Sequence, residues 1–216
     1  MIEKMLNAIE KAFPMTELDA GEYAKQMVSG MHFHIRRFYA EGLGSVSSMV
    51  ASGFFGLMKM DTLIITPTAV DMPLFSYDRV HAMGNDTLIF ELYDTLLGQI
   101  DLSRLEAAKE SAKHLPDHDL GEHWYDPINL AVSLSKKGKK VHTVAFDVAA
   151  TEYLNAFLEA AKTAASCEAA AKREKASVYV EGLLKNGGPS TDVFKKGIGE
   201  ERTADLFRRV LFATEE

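Results

Sequence analysis

The chain has 216 residues, 47% hydrophobic and 25% charged, with a net charge of −7. Those values fit one globular domain with an ordinary core and exclude a disordered or fibrous chain. The acidic balance argues against general nucleic-acid binding, which needs a basic face, and no run of about 18 apolar residues offers a membrane span.

Ile2, Met5, Leu6, Ile9 and Phe13 recur at helical spacing, and Pro14 ends that helix. With no span, no membrane partner is expected, and because the start of the chain lacks the basic-then-apolar order of a signal peptide, a cytoplasmic location is expected. Thr16, with Glu17 and Asp19 behind it, reads as the cap of a second helix running towards Tyr39 and stopping near Gly42 and Gly44. In a helix, His32 and His34 would face different ways. Residues 45–56 and 60–66 read as strands from their Ser, Val, Phe and β-branched content. Residues 74–82 and 87–93 alternate around Met83-Gly84-Asn85-Asp86, which predicts a hairpin.

Residues 102–113 are helical in pattern, and 114–127, with Pro116, Gly121 and Pro127, form a loop. Residues 128–135 and 140–146 flank Lys136-Lys137-Gly138-Lys139, a second hairpin signal. From Asp147 the pattern is helical, interrupted at Asn186-Gly187-Gly188-Pro189 and closing with a helix over 200–212. The reading is one domain over 1–216: N-terminal helices in 1–44, a sheet with one inserted helix in 45–146, and C-terminal helices in 147–216. Short links between strands require antiparallel pairing. The expected fold is therefore α/β (α+β), a three-layer α/β/α sandwich around a six-stranded, mainly antiparallel sheet.

Chemistry concentrates in the 74–93 hairpin. If Ala82 faces Thr87, Asp78 sits opposite Glu91, and the two carboxylates share one face at roughly 5 Å between Cβ atoms. Covered together, one of them holds its proton above the usual range and becomes a proton donor. Solvent-facing ends of an edge pair are the other reading, and a one-residue slip separates the two groups. His81 falls on the opposite strand face from Asp78. His114, His118 and His123 lie among Asp117, Asp119 and Glu122, but Pro116 and Gly121 leave no common face to aim the rings, so a solvated loop is expected before a metal site. Lys136, Lys137, Lys139 and Lys140 read either as a solvated tip or as a patch for an acidic electron carrier. Cys167, the single cysteine, can form neither an internal disulfide nor a thiolate cage.

Several motifs in order resemble the ferredoxin-dependent bilin reductases. Asp71-Met72-Pro73-Leu74-Phe75-Ser76-Tyr77-Asp78-Arg79-Val80 is similar to their aspartate signature, with Leu63-Ile64-Ile65-Thr66-Pro67 before it and Leu88-Ile89-Phe90-Glu91-Leu92 after it. His123-Trp124-Tyr125-Asp126-Pro127, Tyr153-Leu154-Asn155-Ala156-Phe157-Leu158, Tyr179, Gly188-Pro189, Gly199-Glu200-Glu201 and Phe207-Arg208-Arg209-Val210-Leu211-Phe212 extend the likeness over about residues 45–212.

The resemblance implies an open-chain tetrapyrrole held between the sheet and the C-terminal helices. It implies no bound cofactor or metal, and electrons arriving singly from external reduced ferredoxin or flavodoxin. Asp78 falls on the family's catalytic aspartate, with Glu91 coupled to it. Phe75, Tyr77 and Trp124, for which core packing is the default, and His81, which a core or second-face position would also explain, are the candidate pocket residues, and Arg or Lys would hold the pigment's propionates. Three positions depart from the pattern. Thr62 stands near where some members carry a histidine, Gly188 replaces an acidic residue, and Ser76 replaces a glycine. The related red chlorophyll catabolite reductases also lack that histidine. A non-catalytic tetrapyrrole- or porphyrin-binding protein on the same fold is the alternative, and an interaction protein with no ligand the third.

Overall fold

The computed structural model describes residues 1–215, with the backbone alone at Pro189; Glu216, at the end of the expected helical region, lies outside the described residues. A large antiparallel sheet lies between two layers of helices, as the sequence leads one to expect. It has eight strands, not six: β1 (Met15–Leu18), β2 (Lys25–Val28), β3 (Met31–Ala40), β4 (Gly44–Gly53), β5 (Met58–Pro67), β6 (Leu74–Ala82), β7 (Asn85–Tyr93) and β8 (Leu134–Lys139). The order is β1-β3-β4-β5-β6-β7-β8, with β2 beside the first half of β3.

The extra strands come from the segment read as a second helix. Met31, Phe33 and Ile35 are buried on one face, while Phe38 and Ala40 are buried on the other. The two-residue period therefore changes side at Arg36–Arg37, which hides the alternation from a sequence scan. Glu17 caps no helix; it accepts from Arg36 Nε across the sheet at 2.7 Å. His32 and His34, expected to diverge, share one exposed strand face.

The second expected hairpin is also absent. Lys136-Lys137-Gly138-Lys139 is part of β8, pairing with β7, and residues 140–142 form a tight turn into helix α3. The turn fits because Gly138 leaves room: a Cβ there would sit 2.5 Å from the His142 ring.

Helix α1 (Ile2–Ala12), α2 (Ser103–Ser111) and α3 (Thr143–Thr163) cover one sheet face. Leu63, Ile65, Phe75, Tyr77 and Phe90 from the sheet meet Phe146, Tyr153 and Phe157 of α3 there. On the other face lie α4 (Ala169–Asn186), α5 (Pro189–Ile198) and α6 (Glu200–Asp205), the last running into a π-helical turn at Leu206–Leu211.

Two buried ion pairs lock these layers. Lys172 of α4, 1% exposed, donates to the carbonyls of Met72 and Thr95 at 2.7 Å each and to Asp71 at 3.1 Å. Burial lowers its pKa against the pull of Asp71. This fixes α4 to the connections before β6 and after β7. On the opposite face Arg79 donates to Asp86 at 2.5 and 2.7 Å, and Asp86 also accepts from Thr143 at 2.8 Å. The β6–β7 hairpin is thereby fastened to the start of α3. Breaking a buried pair costs more than replacing it, because a lone charge stays in a poor solvent. Arg79→Met is expected to lose about 3–5 kcal/mol in urea unfolding. The double change Arg79→Met with Asp86→Leu should recover most of that loss.

Candidate active site

The hairpin turns on Met83 and Gly84 alone, both with positive φ (50° and 75°), and Ala82 pairs with Asn85. Such a two-residue turn matches the twist of the strands. The register is tighter than expected by two residues. Asp78 consequently lies opposite Ile89, and Glu91 opposite Ser76. A shift of two preserves parity, so the two carboxyls still share a face as diagonal neighbours.

That face is the floor of a cavity of about 1040 Å³, counting its open mouth. One rung of the floor runs Met49, Thr62, Asp78, Ile89, and the next runs Ile64, Ser76, Glu91. Tyr179 and Leu183 of α4, with Phe207 and Leu211 of the π-helical turn, form the roof. His123 and Tyr125, from the loop after α2, close one side. The lining is mainly apolar with a few polar groups, which is the usual composition of a small-molecule pocket.

Asp78 faces this cavity, and removal from water pushes its carboxyl up to about 6. Thr62, directly across the strand pair, opposes that shift by donating to Asp78 Oδ1 at 2.5 Å. Glu91 is raised as well, first by burial and further by the nearby Asp78 charge, against a 2.8 Å hydrogen bond from Tyr93. Its second oxygen, Oε1, is buried without a partner. Tyr93 stacks on Tyr179 at 3.9 Å and meets Tyr125 edge-on at 5.5 Å. Burial raises all three phenols, so they remain neutral donors around Glu91. The arrangement can hold a proton beside a ligand near neutral pH and return it through hydroxyl neighbours.

Of the residues singled out from the sequence, Asp78 and Glu91 come together here. Phe75 and Tyr77 do not: they occupy odd positions of β6 and pack into the α3 core, with Phe75 4.7 Å from Phe157 and Tyr77 5.2 Å from Phe90. His81 shares that other face and lies 3.3 Å from Asp86. Trp124 stands behind the roof, donating to the Gly187 carbonyl at 3.2 Å and packing where Gly182 has no side chain.

Lys136 is buried and paired with Asp117 at 2.6 Å, so it leaves the supposed basic patch; Lys137, Lys139 and Lys140 remain exposed. Among the described residues no Lys or Arg borders the cavity, contrary to the expected propionate clamp. His114 and His118 turn to Ser111 and Ser135 respectively, away from His123. Sequence reasoning missed Tyr93, Tyr125 and Tyr179. Alternation from Glu91 places Tyr93 on the floor; the other two depend on tertiary packing.

The raised Asp78 pKa carries a stability signature. The folded value lies above the unfolded 3.8, so this group's contribution is complete below that pH and is lost as pH rises through about 6. Asp78→Asn should match the wild type in urea unfolding at low pH. At pH 8 it should be more stable by roughly 3 kcal/mol.

No protein-family model matches the chain, and no curated protein matches it. Among solved structures it is similar to selenomethionine phytochromobilin synthase from tomato in complex with biliverdin. The TM-score is 0.80 at 16% sequence identity, over 99% of this chain and 82% of that one. The two chains thus share a fold at low sequence identity.

Proposed function

We propose that the chain binds an open-chain tetrapyrrole between the sheet and α4–α6 and reduces it, with Asp78 as proton donor. The observation that carries this reading is a carboxyl raised to about 6 on the floor of a cavity. The likeness to phytochromobilin synthase, a ferredoxin-dependent bilin reductase, supports it at the level of fold. Flat apolar rings of a pigment match the apolar lining, and its propionates would leave through the mouth into solvent.

Reduction of one double bond takes two electrons and two protons. An external one-electron carrier, reduced ferredoxin or flavodoxin, supplies the electrons in two steps. Asp78 gives a proton to the pigment radical, held meanwhile by Thr62. Glu91, among the tyrosine hydroxyls, is the group placed to supply or relay the second.

A non-catalytic tetrapyrrole-binding protein is the second reading. Thr62 and Gly188 favour it: both border the cavity, near the places where some members of the resembled bilin reductases carry a histidine and an acidic residue.

Visible spectra under anaerobic conditions separate the two. Biliverdin should give a shifted bound spectrum that changes further when reduced ferredoxin is added. A bound spectrum that stays fixed supports binding alone, and no bound spectrum with any linear tetrapyrrole removes both. Asp78→Asn should bind and lose turnover by about 100-fold or more. Wild-type turnover should fall as pH rises through about 6.

A further inference from the structure

A second surface, unrelated to the cavity, gathers at one end of the sheet. Pairing sets Met31 beside Gly53, Met58 beside both Gly53 and Ala82, and Asn85 beside Lys139. The turns at 54–57 and 83–84 and the exit of β8 therefore lie in a row. Phe54 is 57% exposed, Phe55 wholly so, Leu57 69% and Met83 89%. Single exposed apolar residues are ordinary, but a cluster at one end marks a contact surface.

Phe54 and Phe55 both have φ in the left-handed region, 51° and 56°. Bulky residues adopt it at a cost, and such strain concentrates at functional positions. Here it accompanies two rings left in solvent. The charge around them is also local and one-sided. Segments 53–59, 81–85 and 137–141 contain Lys59, Lys137, Lys139 and Lys140 and no Asp or Glu, in a chain of net charge −7. All four lysines are exposed.

We infer that this end of the sheet docks on the anionic surface of a lipid bilayer. Phe54, Phe55, Leu57 and Met83 enter the boundary between headgroups and acyl chains, and the four lysines meet the lipid phosphates. An acidic protein would satisfy the lysines, but side chains jutting from separate turns would each need a matching pocket. A soft interface takes such protrusions without preformed pockets. The expectation of no membrane partner rested on span length, which does not bear on a peripheral surface.

Sedimentation of the full chain with vesicles tests this. The chain should co-sediment with phosphatidylcholine vesicles containing phosphatidylserine, and about tenfold more weakly with phosphatidylcholine alone. The double variant Phe55→Asn with Leu57→Ser should lose about tenfold or more on the mixed vesicles. Asn tolerates the left-handed backbone at position 55, and an unchanged melting curve confirms that the fold is intact. Failure to sediment, equal binding to neutral vesicles, or an unaffected variant overturns the inference. So does a concentration-dependent dimer, or ferredoxin binding, that the variant abolishes while vesicles are not bound.

Discussion

Asp78 sits on a strand whose side chain meets a cavity in place of bulk water, and that placement raises its carboxyl to about 6. The chemistry proposed for this protein depends on it. A carboxyl in open water would be ionised at neutral pH and have no proton to give. The floor supplies one opposing influence, the Thr62 hydroxyl, which steadies the carboxylate and limits the shift. Geometry and electrostatics are thus set by the same strand pair.

The two faces of the sheet divide the work. On β6, Phe75 and Tyr77 face the α3 core, while Ser76 and Asp78 face the cavity. One strand therefore anchors the sheet and carries the reactive group. Arg79 and Asp86 tie the hairpin to α3 on the core side. Lys172 ties the roof helix α4 to the connections before β6 and after β7. Roof and floor are held by buried, multiply bonded charges, which resist sliding more than apolar contact alone. The tyrosines that surround Glu91 come from β7, the loop after α2 and α4, so the cavity exists only when all three are docked.

The sequence made the β4–β7 core and its acidic face legible, because alternation and turn residues are local signals. The facing of Asp78 and Glu91 survived a two-residue error in register, since parity does not change under an even shift. Residues 15–40 were misread as helix because Thr16, Glu17 and Asp19 imitate a helix start and the buried side of β3 changes at Arg36–Arg37. The lysine run imitated a turn while lying inside β8, where Lys136 finds Asp117. Phe75 and Tyr77 fall to core packing, the default for aromatic side chains, since the alternation that places Asp78 on one face assigns them to the other. The roof and Tyr125 were beyond reach, because only tertiary packing brings them over the floor.

Carboxyl-selective infrared or carbon NMR titration of the unliganded protein, with Asp78→Asn as the assignment control, measures the central quantity directly. The account requires a carboxyl signal that titrates near 6 and vanishes in the variant. A signal assigned to residue 78 that titrates near 4, as in a solvated aspartate, contradicts it.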